Sequence, residues 1–161
     1  VVSLAALFAI LADLLEEPGN VPYIYTKDLT SLGGVLEKIG HTQLAGDLYD
    51  KSVEIGSNHG DDSLLAALRK GSLLKRQGCI VAALPYWEMA AKLGSREAMI
   101  ELSKYYEHTV RDYETALRYA ESSLSTQKTR GSFAKKSVES FEKIQTRCKR
   151  LSARVDKVKK Q

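Results

Sequence analysis

Three observations predict an all-α fold, built as a helical repeat array. The chain matches itself at an offset of 38 residues. Apolar residues recur at the helical period along its length, and no run of alternating β-branched residues competes with that reading.

At the 38-residue offset, Gly33, Leu36, Gly40, Ala45, Tyr49, Ser52, Gly56 and Ser57 fall on Gly71, Leu74, Gly78, Ala83, Trp87, Ala90, Gly94 and Ser95. The order is a small residue, a large one, a turn glycine, a small residue, an aromatic and another small residue. That is the spacing of a tetratricopeptide unit, so the array is expected to wind as a right-handed solenoid. Gly33 and Gly71 are expected mid-helix, where glycine costs about 1 kcal/mol relative to Ala and is accepted when a neighbour must approach closely. Gly40 and Gly78 fall where a first helix must stop and turn, and Gly56 and Gly94 are expected to end the second helices in the same way. Ala45 and Ala83 are small so that paired helices can touch, with Tyr49 and Trp87 filling the space beyond. Pro85 sits one turn into its helix, where proline is tolerated.

A third unit comes next with looser spacing, its first helix carrying Ala98, Leu102, Ser103 and Tyr106 and its second Ala116, Ala120 and Ser123. Its small-to-small spacing, Ser103 to Ala116, is thirteen residues, against twelve in the units before it. The turn from His108 to Asp112 is therefore one residue longer, and Asp112 is the expected N-cap of the next helix. The predicted organisation is a helix over 1–17, a connector over 18–27 and repeats at about 28–57, 62–95 and 96–124. A basic amphipathic helix over 131–160 closes the chain.

The sequence has 161 residues, 43% hydrophobic and 27% charged, as expected of a globular domain with a real core. The apolar stretch Val1 to Leu15 is too short for a bilayer and contains Asp13, and it lacks the marks of a signal peptide. No membrane association is expected. The chain opens at Val1 rather than methionine and is read as a piece of something longer. Cys79 and Cys148 suit no framework of bridges, so a reducing cytoplasmic setting is expected. The net charge of +4 hides an asymmetry: residues 1–124 carry a balance of −5 and residues 125–161 a balance of +9.

Residues 1–9, Val-Val-Ser-Leu-Ala-Ala-Leu-Phe-Ala, resemble the segment after the final acidic motif of DEDD-type exonucleases. The helix, short linker, repeats and basic tail together resemble the C-terminal region of bacterial YprB-type ribonuclease-H-like proteins. The Tyr-Tyr-Glu-His…Asp-Tyr-Glu-x-Ala-Leu stretch within 102–124 is the distinctive part. The resemblance implies a parent that is a metal-dependent exonuclease whose carboxylates lie before Val1. No catalytic residue is carried over to this chain, which is expected to be no enzyme and to hold no cofactor or metal.

Two surfaces are candidates for binding. By register, Arg69, Lys75, Arg76 and Lys104 line a groove on the repeat face, where a protein partner is expected. The asparagines of a carboxylate clamp are absent, their position being Gly34, Ser72 and Lys104. In the tail, Phe141, Ile144, Cys148, Leu151, Val155 and Val158 form a heptad-like seam. Beside it run Lys143, Arg147, Arg150, Arg154 and Lys157. This stripe reads as a solvated flank paired with the acidic repeats, as a nucleic-acid phosphate contact, or as the border of a weak dimer seam. A monomer or weak dimer is expected. His41, His59 and His108 show no metal-ligand spacing, and Asp61-Asp62 reads as N-cap chemistry.

Overall fold

A computed structural model describes residues 26–56, 61–126 and 141–159, with Ala12 and Glu16 also helical. The expected helix over 1–17 otherwise lies outside the described residues, as do residues 57–60, with His59, and residues 127–140. The described residues are all-helical. The helices are α1 (Thr26–Lys38), α2 (Thr42–Gly56), α3 (Asp61–Arg76), α4 (Ile80–Lys92), α5 (Arg96–Tyr105), α6 (Tyr113–Ser125) and α7 (Phe141–Lys159). A π-helical turn, Tyr106–Val110, continues α5. The chain divides into two compact units, Val1–Ile80 and Val81–Gln161.

Three helix ends use one stop signal. Gly40, Gly78 and Gly94 have φ of 94°, 81° and 88°, which only glycine adopts without strain. At each, two backbone bonds close the last turn. His41 N donates to Leu36 O and Gly40 N to Glu37 O; Cys79 N donates to Leu74 O and Gly78 N to Lys75 O; Ser95 N donates to Ala90 O and Gly94 N to Ala91 O. This is the Schellman arrangement, which satisfies carbonyls that the helix itself leaves orphaned. Gly56 departs from the expectation. It is the last residue of α2 but has no left-handed φ, and a side chain there would press on Ser63 at 3.1 Å. It serves the approach of α3 rather than a cap.

In the first unit α1 packs on α2 and α2 on α3. Leu29, Leu36, Ala45, Leu48, Tyr49 and Leu73 form its buried core, with Leu32 and Leu44 at the margin. Gly33 gives way to the Tyr49 ring, since a Cβ there would lie 2.6 Å from Tyr49 Cε1. The buried Ser52 hydroxyl donates to Thr26 O at 2.9 Å and lies 2.8 Å from the Thr30 hydroxyl, tying α2 to the start of α1.

In the second unit α6 packs against α5, the π turn and α7. Ser103 Oγ donates to Ala116 O at 2.9 Å, a bond that only two small residues at a close crossing permit. Asp112 caps α6 as expected, accepting from Thr115 N at 3.0 Å. Hydrogen bonding from the Thr115 side chain, and then from its backbone N–H, holds the Asp112 carboxyl below the usual aspartate range. The extra residue of the third turn is absorbed by the π turn, which places one more residue in the turn than an α-helix does. Arg111 then leaves it in the left-handed conformation, φ 63°.

Candidate functional site

The tail helix supplies the most chemically distinctive cluster. Its seam faces its own chain: Ile144, Leu151 and Val155 are buried. Leu151 joins a core with Ala116 and Ala120, on which Tyr106, Tyr113, Leu117 and Cys148 pack. Burying each large aliphatic side chain contributes about 1.5–3 kcal/mol. The middle of the seam is thus occupied by α6, and only its ends, Phe141 and Val158, are exposed. Burial pushes the Cys148 thiol above its usual pKa, the nearby Glu121 carboxylate adding to the effect.

The stripe beside the seam meets a single carboxylate. Glu107, second residue of the π turn, has a fully buried side chain. Arg150 Nη2 donates to both of its oxygens, at 2.6 and 2.9 Å. Arg147 Nη1 donates to Oε2 at 3.1 Å, and Arg154 Nη1 lies 3.6 Å from Oε1. The Arg154 guanidinium also covers the Tyr113 ring at 5.3 Å, a cation–π contact. His108 Nε2 stands 3.7 Å from Oε2 and adds a further cation when protonated. Three guanidiniums therefore surround one carboxylate. At the far end of α7, Lys159 pairs with Glu114 at 2.9 Å.

The five stripe residues thus divide. Arg147 is largely covered, its side chain 11% exposed, and is committed to Glu107. Arg150 and Arg154 touch Glu107 yet remain 50% and 46% exposed. Lys143 and Lys157 are exposed. A depression of about 370 Å³ opens beside the cluster, lined by Glu142, Lys143, Thr146, Arg147 and Arg150.

The groove candidates divide as well. Arg76 pairs with Glu37. Glu37 also accepts from the Tyr49 hydroxyl at 2.8 Å, and Arg69 bonds to that same hydroxyl. Burial, reinforced by Glu37, pushes the Tyr49 pKa up to about 12. The Arg69 guanidinium lies in the notch left by Gly34, where a Cβ would come within 2.9 Å of Nη1. Arg69 and Arg76 are therefore both tied into the first unit, Arg76 with its side chain still 56% exposed. Lys75 is exposed on α3. Lys104, in the second unit, pairs with Glu101 at 3.1 Å.

The basic stripe is readable from sequence; its acidic partner is not. The signal lay in the thirteen-residue spacing: a residue inserted in a helical turn rotates the rest of the helix, and here that rotation accompanies the burial of Glu107. Among the described residues no group of three His, Cys, Asp or Glu side chains could hold a metal, and no helix is long and apolar enough to cross a membrane.

No family model matches the chain. A stretch of 69 residues, 40% of this chain, is 36% identical to the uncharacterized protein YprB of Bacillus subtilis. The match spans 17% of that protein's length. This chain is thus similar over part of its length to part of a longer bacterial protein.

Proposed function

We propose that the chain is a non-catalytic, tetratricopeptide-like scaffold that recruits a protein partner to a longer, ribonuclease-H-like parent. One observation carries the reading: a single packing scheme recurs at the 38-residue offset. Gly40 and Gly78 make identical caps, Ala45 and Ala83 are fully buried, and Tyr49 and Trp87 fill the matching large positions at 0% and 1% exposure. Ser103 and Ala116 supply the corresponding small pair of a third unit. Chains that invest in such repetition generally use the exposed side of the stacked helices for binding. The resemblance of residues 1–9 to the segment after the final acidic motif of DEDD-type exonucleases supports a nuclease-like parent, and the partial similarity to YprB supports a longer one.

Lys75 on α3 of the first unit and Lys104 on α5 of the second are the cations assigned by register to meet an acidic partner, each on the repeat face of its own unit. The test compares the wild-type chain with Lys75→Glu/Lys104→Glu in quantitative affinity capture, with matched melting temperatures. A discrete partner lost by the variant supports the reading; a partner set that survives the charge reversal overturns the assignment of that face.

A second reading is favoured by the charge of α7, which holds seven Lys/Arg and two Asp/Glu. Its outward face would hold a nucleic-acid phosphate backbone for the parent's catalytic domain. Such contacts weaken linearly with the logarithm of salt, whatever the base sequence. Lys143→Glu/Lys157→Glu should abolish binding of a labelled oligonucleotide at low salt, and unchanged binding would contradict this reading.

A further inference from the structure

We propose that Glu107 acts as an internal competitor for phosphate, weakening the nucleic-acid binding of α7; the inference rests on the second reading above. A carboxylate that accepts from two guanidiniums and is ion-paired with a third occupies the place a phosphodiester would take. Arg150 reaches both Glu107 oxygens through one nitrogen, Nη2, a charge-assisted contact of the kind arginine makes with carboxylate and phosphate alike. About half of the Arg150 and Arg154 side-chain surface nonetheless faces solvent, and Arg150 lines the depression shared by Lys143 and Thr146. Both arginines are thus within reach of an incoming phosphate and held back by Glu107. Glu142, the acid in that depression, adds to the same opposition.

The remaining partners of the cluster fix what competition can do. Arg147 is covered and stays with Glu107, so the buried carboxylate keeps a counter-ion when Arg150 and Arg154 turn outward. Ile144, Leu151 and Val155 hold α7 in place meanwhile. The π turn gives the competitor its position: it belongs to the neighbouring element and meets the arginines across the interface. The outcome is a backbone grip weaker than seven basic residues alone would produce, suited to a substrate that must be released or moved along.

The test is fluorescence anisotropy of labelled single- and double-stranded oligonucleotides with the full 161-residue chain carrying Cys79→Ser. Wild type is compared with Glu107→Gln, Arg150→Ala and the double variant. The alkylation rate of Cys148, half-buried on the inner face of α7, reports whether the helix stays docked. With Cys148 still protected, Glu107→Gln should tighten binding several-fold and steepen the salt slope by about one phosphate contact. In the Arg150→Ala background the gain should shrink. Equal or weaker binding by Glu107→Gln overturns the proposal while leaving the second reading intact, provided wild type binds. If neither wild type nor Glu107→Gln binds, both fall. Binding by Glu107→Gln alone shows complete masking and supports the proposal. If Glu107→Gln releases α7, single variants decide. Arg150→Ala should then weaken binding less than Lys143→Ala, because its charge is already shared with Glu107, and an equal or larger loss overturns the proposal.

Discussion

A methyl group added at position 33 would lie 2.6 Å from the Tyr49 ring, while one at position 34 would meet the far end of Arg69 at 2.9 Å. The two neighbouring glycines therefore answer differently to the same substitution. Alanine gains about 1 kcal/mol of helix propensity at either site. At Gly33 that gain is set against overpacking of about 1–3 kcal/mol, because the buried ring is also tied through its hydroxyl to Glu37. Gly33→Ala should be net destabilising, and Gly34→Ala, which displaces only a flexible guanidinium, clearly less so. Urea denaturation of the two variants checks the order. Tyr49 offers a second test. Its pKa is raised to about 12, so the native state holds a proton that the unfolded chain releases near pH 10. The associated stability is fully present below pH 10 and is lost as pH rises from about 10 to 12. Tyr49→Phe should remove that alkaline loss of melting temperature.

At the scale of elements, α6 is fixed at its start by Asp112 and along its sides by α5 and α7. Asp112→Ala should cost about 1 kcal/mol, within the range of about 0.5–2 for lost caps, and Asp112→Asn much less. The carboxyl is held low by the Thr115 bond, so its contribution is present above the unfolded aspartate value of about 4 and fades as pH falls through the lower native one. The Glu107 cluster is asymmetric. Removing Arg147 and Arg150 together leaves a buried carboxylate with its nearest cations gone, which should cost about 3–5 kcal/mol. Arg154→Ala removes a half-exposed contact and should cost under about 1 kcal/mol. Thermal melts of both variants would show the contrast. Much of this was legible in the sequence. The cap glycines, the Asp112 cap and the longer third turn obey local rules that act within a few residues. The seam of α7 was legible as a pattern, though not its occupant. Glu107 was not legible, because its burial depends on a π turn and on residues some forty positions away, and sequence periodicity carries neither. The partners of Arg69 and Arg76 were not legible for a related reason: register places a side chain on a face without telling which neighbour it pairs with.

For the molecule as a whole, the uneven charge of the chain is partly reconciled within the second unit. The tail that carries the positive balance is docked by apolar contacts and by pairs with Glu107 and Glu114, leaving Lys143, Lys157 and half of Arg150 and Arg154 to solvent. The reading of the chain as a weak holder of phosphate backbone uses α7 as a folded part of that unit. Hydrogen–deuterium exchange across residues 141–159 tests this most directly. Amides from Ile144 to Val155 should exchange slowly, at rates near those of α6, and Glu107→Ala should accelerate them. Exchange across α7 at the rate of an unfolded peptide would contradict a docked helix and the phosphate-holding reading built on it.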